Sequence, residues 1–217
     1  MLTRMRIWLA DSPGILGAVA AEIGAVQGNV IGLEVLEREA GVAIDELVVE
    51  LPDDPGAIEA VCKGIRNVPG AGVEEVKELV ALAEDREDTV LNAAAAILQA
   101  ATPTAAMNSL LNQLMTLFDL TWLALVNVEQ ESYVEVHGDV PAIQWLVAFA
   151  EGSRSGADPA NDTTRSGVFI EQVPDSDLSV CGGRTTPIRR RERHEIATLT
   201  VVTARFVDAL GGRVHAH

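Results

Sequence analysis

Residues Asp11–Val35 read DSPGILGAVAAEIGAVQGNVIGLEV, and this stretch decides the fold of the first third of the chain. Ser12 suits a helix N-cap, and Pro13 suits the first helical position, where its missing N–H costs nothing. Leu16, Val19, Ile23 and Val26 then recur at three- and four-residue spacing, which predicts a helix with one buried face. Gly17, Ala20 and Gly24 are small enough to let a sheet or a second helix approach closely. Gln27-Gly28-Asn29 closes the helix, with Gly28 or Asn29 available for a left-handed cap. A strand follows in which Ile31, Leu33 and Val35 alternate with polar or small residues.

Working outward, Thr3–Ala10 alternates at Met5, Ile7 and Leu9, which predicts a half-buried strand ahead of the helix. Val30–Glu39 and Val42–Leu51 are two alternating runs around Ala40-Gly41, the pattern of a hairpin. Asp54-Pro55 opens a second helix with Ile58, Val61 and Ile65 as its stripe, Pro69-Gly70 ends it, and Val73–Leu79 makes a last strand. The order is β-α-β-β-α-β, a split arrangement that gives a four-stranded antiparallel sheet with both helices on one face.

Asp11-Ser12-Pro13-Gly14-Ile15-Leu16 is the best candidate site in the chain. The first N–H groups of the helix, at Gly14, Ile15 and Leu16, have no partners within it, and they suit a carboxylate. Asp11 can accept hydrogen bonds from an ammonium group, and Asn29, at the mouth of the second strand, can both donate and accept. Carboxylate plus ammonium is the pattern of an α-amino acid.

The segment resembles the signature of ACT domains: an acidic or Asn residue, a variable residue, Pro-Gly, an apolar helix, then Asn and a β-branched residue entering the second strand. The resemblance covers about residues 3–80 and implies a ferredoxin-like regulatory module that pairs and binds an amino acid at the pair interface. It implies Asp11, Ser12, Pro13, Gly14, Ile15 and Leu16 on one side of the ligand, and Asn29, Val30 and Ile31 of a second copy on the other. Leu9 stands where some amino-acid-binding members carry a polar residue, which shifts the expected ligand towards an apolar side chain.

Residues 81–88, ending in Glu84-Asp85-Arg86-Glu87-Asp88, read as a linker or an exposed helical start. Beyond it, two helices (89–101 and 104–118) precede Leu120–Val128, which is apolar on both sides and therefore a central strand. Ser132–His137 can pair with it. Pro141 opens a helix to about Glu151, and residues 152–166 read as a mobile loop. Two short strands (167–173 and 177–182) and a long helix from Arg190 to Leu210 complete an α+β pattern. Cys181-Gly182-Gly183-Arg184-Thr185-Thr186-Pro187-Ile188-Arg189, followed by the helix that opens at Arg191-Glu192-Arg193, is similar to the end of GAF domains. That resemblance implies a GAF-like sensor domain over 89–212, with 213–217 as a tail.

Composition limits function. The 217 residues are enough for two small domains, and 48% hydrophobic residues with 22% charged describe a globular chain. Net charge is −16, which disfavours nucleic acid and anionic membranes. No apolar run is long enough to span a membrane and no signal peptide is evident, so a cytoplasmic location is expected. Cys62 and Cys181 read as buried free thiols. His215-x-His217 has the spacing to hold a metal weakly but reads as part of a frayed tail, His137 reads as a turn residue and His194 as solvated, and no metal or cofactor is expected. Asp45-Glu46 and Glu74-Glu75 lie within strands, where neighbours face opposite ways, so neither pair can share a proton without a bulge. Asp53-Asp54 reads as helix capping. Arg189-Arg190-Arg191, with Arg184 and Arg193, is the only basic cluster and reads as a solvated helix start, with a phosphate or acidic-partner site as the alternative. The expectation is a non-enzymatic, homodimeric amino-acid sensor; the alternative is an assembly protein in which the ACT domain only dimerises the chain.

Overall fold

The computed structural model describes residues 1–80, 86–154 and 167–211. The protein is α+β, and the chain divides into two compact units, Met1–Ala83 and Glu84–His217. In the first unit the elements run β1 (Leu2–Ala10), α1 (Ile15–Ala25), β2 (Asn29–Glu39), β3 (Val42–Glu50), α2 (Ala57–Asn67) and β4 (Ala71–Leu79). The sheet order is β2-β3-β1-β4, antiparallel throughout. Alternation sets the core: Met5, Ile7 and Leu9 of β1, with Leu47 and Val49 of β3, meet Val19 and Ile23 of α1 and Val61 and Ile65 of α2. The β2–β3 turn has both Ala40 and Gly41 at positive φ, as a two-residue hairpin of matching twist requires.

Three local expectations are corrected. Helix α1 begins at Ile15, not at Pro13; its N-cap is Gly14, at φ +89°, and Ser12 does not cap it. The left-handed residue after α1 is Gln27, not Gly28 or Asn29. Gly28 serves close approach instead, because a Cβ there would stand 2.9 Å from the Ile23 carbonyl oxygen and 2.8 Å from its Cγ2. The Glu74-Glu75 pair sits at an irregularity of the β1–β4 ladder, where Glu75 opposes Arg6 and Val73 opposes Ile7, so the regular alternation assumed for it is interrupted.

The second unit contains α3 (Arg86–Ile97), α4 (Pro103–Leu117), β5 (Trp122–Asn127), β6 (Ser132–Gly138), α5 (Ile143–Arg154), β7 (Val168–Gln172), β8 (Leu178–Gly183) and α6 (Arg190–Ala209). Its sheet order is β6-β5-β8-β7. The central position of β5 follows from its apolar residues on both faces. Leu123 and Leu125 pack with Leu110, Leu114, Ile196 and Leu199 on one side. Ala124 and Val126 pack with Leu146, Val147 and Ala150 of α5 on the other. Of the two readings of this stretch the helical start holds for Arg86–Asp88, which form the first turn of α3. Arg86 reaches Glu195 of α6 at 2.7 Å and lies over the Phe118 ring. Gly152–Arg154 finish α5 rather than starting a loop, and 155–166 lie outside the described residues, as do His215 and His217. No helix among the described residues is long and apolar enough to cross a membrane.

Candidate functional site

The β1–α1 loop is held against the β2–β3 hairpin. The Asp11 N–H donates to the Gly41 carbonyl at 2.8 Å, and the Arg38 guanidinium donates to both Asp11 carboxylate oxygens at 2.8 Å. The hydrogen bonds from Arg38, helped by its charge, hold the Asp11 carboxyl below its usual range. The carboxylate assigned to an ammonium group therefore already carries a bidentate partner from its own chain. The Ala18 N–H closes the first turn of α1 on the Gly14 carbonyl and the Ile15 N–H donates to the Ser12 carbonyl at 3.5 Å, so the helix opens with the N–H groups of Leu16 and Gly17. A Cβ at Gly14 would meet nothing within 4 Å, so its left-handed backbone rather than crowding calls for glycine there. The Ser12 N–H donates to the Ala10 carbonyl, Ser12, Pro13 and Leu16 are exposed, and Ile15 packs on the core.

Asn29, Val30 and Ile31 lie elsewhere. Asn29 opposes Glu50, which in turn opposes Leu2 at the start of β1, whereas Asp11 follows the end of β1. A nine-residue strand separates the two halves of the candidate site, roughly 27 Å at 3.3 Å per residue. One copy of the chain does not bring them together. Val30 packs on the core, while Asn29 is exposed and Ile31 sits exposed where the β2–β3 register shifts.

One residue of this unit escaped the sequence reading. Asp45 lies on the helix-covered face of β3, in register between Ile7 and Val35. It is 4% exposed, its Oδ1 has no hydrogen-bond partner, and burial pushes its carboxyl above the usual value. The signal was available: Ala43, Asp45, Leu47 and Val49 alternate, so parity puts an acid among core residues. Its neighbour Glu46 faces the other way and binds Arg6 at 2.9 Å, as the opposed-face reading required.

In the second unit Arg184, Arg189 and Arg193 of the basic cluster face inward, while Arg190 is exposed. Arg184 donates to the carbonyls of Phe118, Thr186 and Pro187 and to Glu192 at 2.6 Å. Arg193 donates to the carbonyls of Ile188 and Val168, and the Arg189 N–H donates to Glu192. The Arg184 side chain is 6% exposed and Arg189 is buried, which corrects the solvated-helix reading for these two; Arg191 alone makes the expected pair with Glu195. These guanidiniums lock the β8–α6 connection and are spent on it. Glu171 of β7 is pushed up to about 7 by burial, against the pull of Arg193. Cys62 and Cys181 are both free and buried, and burial raises both thiols, Cys181 to about 12, so neither is a ready nucleophile. Among the described residues, no group of His, Cys, Asp and Glu could hold a metal ion.

No family model matches the chain, and no curated protein does. Among solved structures it is similar to the crystal structure of an unknown protein from Galdieria sulphuraria, at 10% identity over 97% of this chain and 93% of that one, with a TM-score of 0.33.

Proposed function

We propose that this protein is a non-enzymatic regulatory sensor, in which the first unit is a ferredoxin-like ACT domain that binds an amino acid between two copies of the chain and the second is a GAF-like domain. The sheet order and the two helices on one face support the ACT reading, and the sheet with helices on both faces supports the GAF-like one. One observation carries the pairing: α1 and the edge strand β2 form an uncovered apolar surface. Only Val19 and Ile23 of α1 are buried, and its exposed residues are Leu, Ala and Gly. Apart from the half-buried Glu22, the helix is apolar on every side, a pattern that belongs in an interior. Leu33 and Val35 beside it are 43% and 46% exposed. The opposite edge, β4, carries Glu74, Glu75, Lys77 and Glu78, and β2 carries Glu34, Glu37, Arg38 and Glu39, so the exposed Leu33 and Val35 rather than a lack of charge single out the β2 edge. Antiparallel pairing of two β2 edges about Glu34 sets Asn29 of one copy opposite Glu39 of the other, next to that copy's Arg38 and Asp11. Two copies thus unite the halves that one copy separates.

The Asp11–Arg38 pair favours a second reading, in which the unit only dimerises the chain, because the expected ammonium acceptor is engaged. Light scattering and calorimetry separate the two. The wild type is expected at twice the 23.0 kDa chain mass, and Leu33→Asp at the single mass, with amino-acid binding lost in the same variant. A ligand at 100 times its Kd raises stability by about 2.7 kcal/mol in a thermal-shift screen. A dimer that binds no amino acid supports the assembly reading, and a monomeric wild type overturns both.

A further inference from the structure

Building on the sensor reading, we infer that Asp45, rather than Asp11, reads the ammonium group of the ligand, at a site formed by β3 and the open β2 edge. Asp11 is occupied by a bidentate guanidinium, whereas the Asp45 side chain is almost fully buried and its Oδ1 has no partner. A buried carboxylate without donors is costly unless something supplies them. An ammonium group supplies three. The approach is from β2: Val35 is the register neighbour of Asp45, and Val35 and Leu33, on the same face, are about half exposed. The edge is one strand away, roughly 4.8 Å. Asp45 also lies at the correct end of the sheet. It is two residues from Ala43, which opposes Arg38, hence about 7 Å along the strand from the level of the Asp11–Arg38 pair. A carboxylate next to exposed Leu and Val side chains selects a primary ammonium with an apolar body.

The test is calorimetry on the full chain with L-leucine and with 3-methylbutylamine, which is leucine without its carboxylate, for the wild type and Asp45→Asn. The expected result is a loss of about 10–150-fold in affinity for both probes, the range for one charge-assisted hydrogen bond, while the melting temperature of the unliganded variant stays level or rises. Leucine binding unchanged by Asp45→Asn overturns the assignment and leaves the sensor reading standing. Binding of the amine but not of leucine, abolished by the variant, supports the Asp45 site and overturns the amino-acid reading. A wild type that binds neither probe overturns both. A variant that melts lower without ligand overturns the assignment too, since the charge would then be serving the unliganded fold.

Discussion

The two units handle burial differently. The second closes its sheet on both faces and pairs its most deeply buried acid: Glu192, 1% exposed, meets Arg184, 6% exposed, at 2.6 Å. The first covers one face of its sheet with two helices, leaves Leu16 of α1 and Leu33 and Val35 of β2 exposed, and leaves Asp45 Oδ1 without a partner. Stability and recognition make opposite demands on a side chain. A satisfied buried charge defines a fold, whereas an unsatisfied one waits for a partner.

That contrast can be broken most forcefully at Glu192. Glu192→Ala removes the acid that Arg184 and the Arg189 N–H share and should cost the second unit about 3 kcal/mol. The measurement is urea unfolding followed by tryptophan fluorescence in a Trp8→Phe background, where the remaining tryptophans, Trp122 and Trp145, both belong to the second unit. A midpoint shift no larger than that of a surface substitution would show that the pair contributes nothing.

Glu171 sharpens the contrast through pH. Its folded pKa, raised to about 7 by burial, exceeds the ordinary 4.5, so the folded state favours the protonated form. Its contribution is fully present below pH 4.5 and is lost as pH rises through about 7. Melting temperatures between pH 5 and pH 8 should fall more steeply for the wild type than for Glu171→Gln, by a few degrees at about 2–4 °C per kcal/mol. Equal slopes would remove Glu171 from the account.

Asp45 should respond with the opposite sign to Glu192. Asp45→Val exchanges an unpartnered carboxyl for a β-branched apolar group on a strand and should stabilise the first unit by about 1 kcal/mol at pH 7. Burial raises this carboxyl as well, so the gain should shrink as pH falls and the wild-type group takes up a proton. Destabilisation at neutral pH would mean that the carboxylate has a partner in solution.

The smallest effects lie at the helix ends. Thr102 accepts the Ala105 N–H at 3.2 Å, so Thr102→Ala should cost about 1 kcal/mol, whereas Ser12→Ala should change stability by only a few tenths. Chemical denaturation of both variants decides whether the Thr102 cap contributes stability that Ser12, which caps nothing, does not.

What the sequence made legible follows from range. Alternation in Thr3–Ala10 and Val42–Leu51, and the two-sided apolar run in Leu120–Val128, are local patterns, and the strands formed where they predict. The Ser12 cap was misplaced because Pro13 is equally at home in the turn before a helix. The Asp11–Arg38 pair joins residues 27 apart across a hairpin, so no window around either one contains it. The run Arg189–Arg191 looks solvated as a string of charges; only the fold of β8 against α6 turns its neighbours inward. Asp45 was within reach, since parity assigned its face, but its lack of a donor depends on every element packed around it.

Arg86 bears on the order in which the chain is made. It opens the second unit, yet its carboxylate partner, Glu195, is 109 residues further on, in the final helix. Closing so long a loop is slow, and it cannot begin before α6 exists. The first unit, by contrast, has all its strands once Leu79 has been added. During synthesis it can fold while the other is still an open chain. The apolar surface of α1 and β2 therefore meets water, and any second copy, before the rest of its own molecule is built.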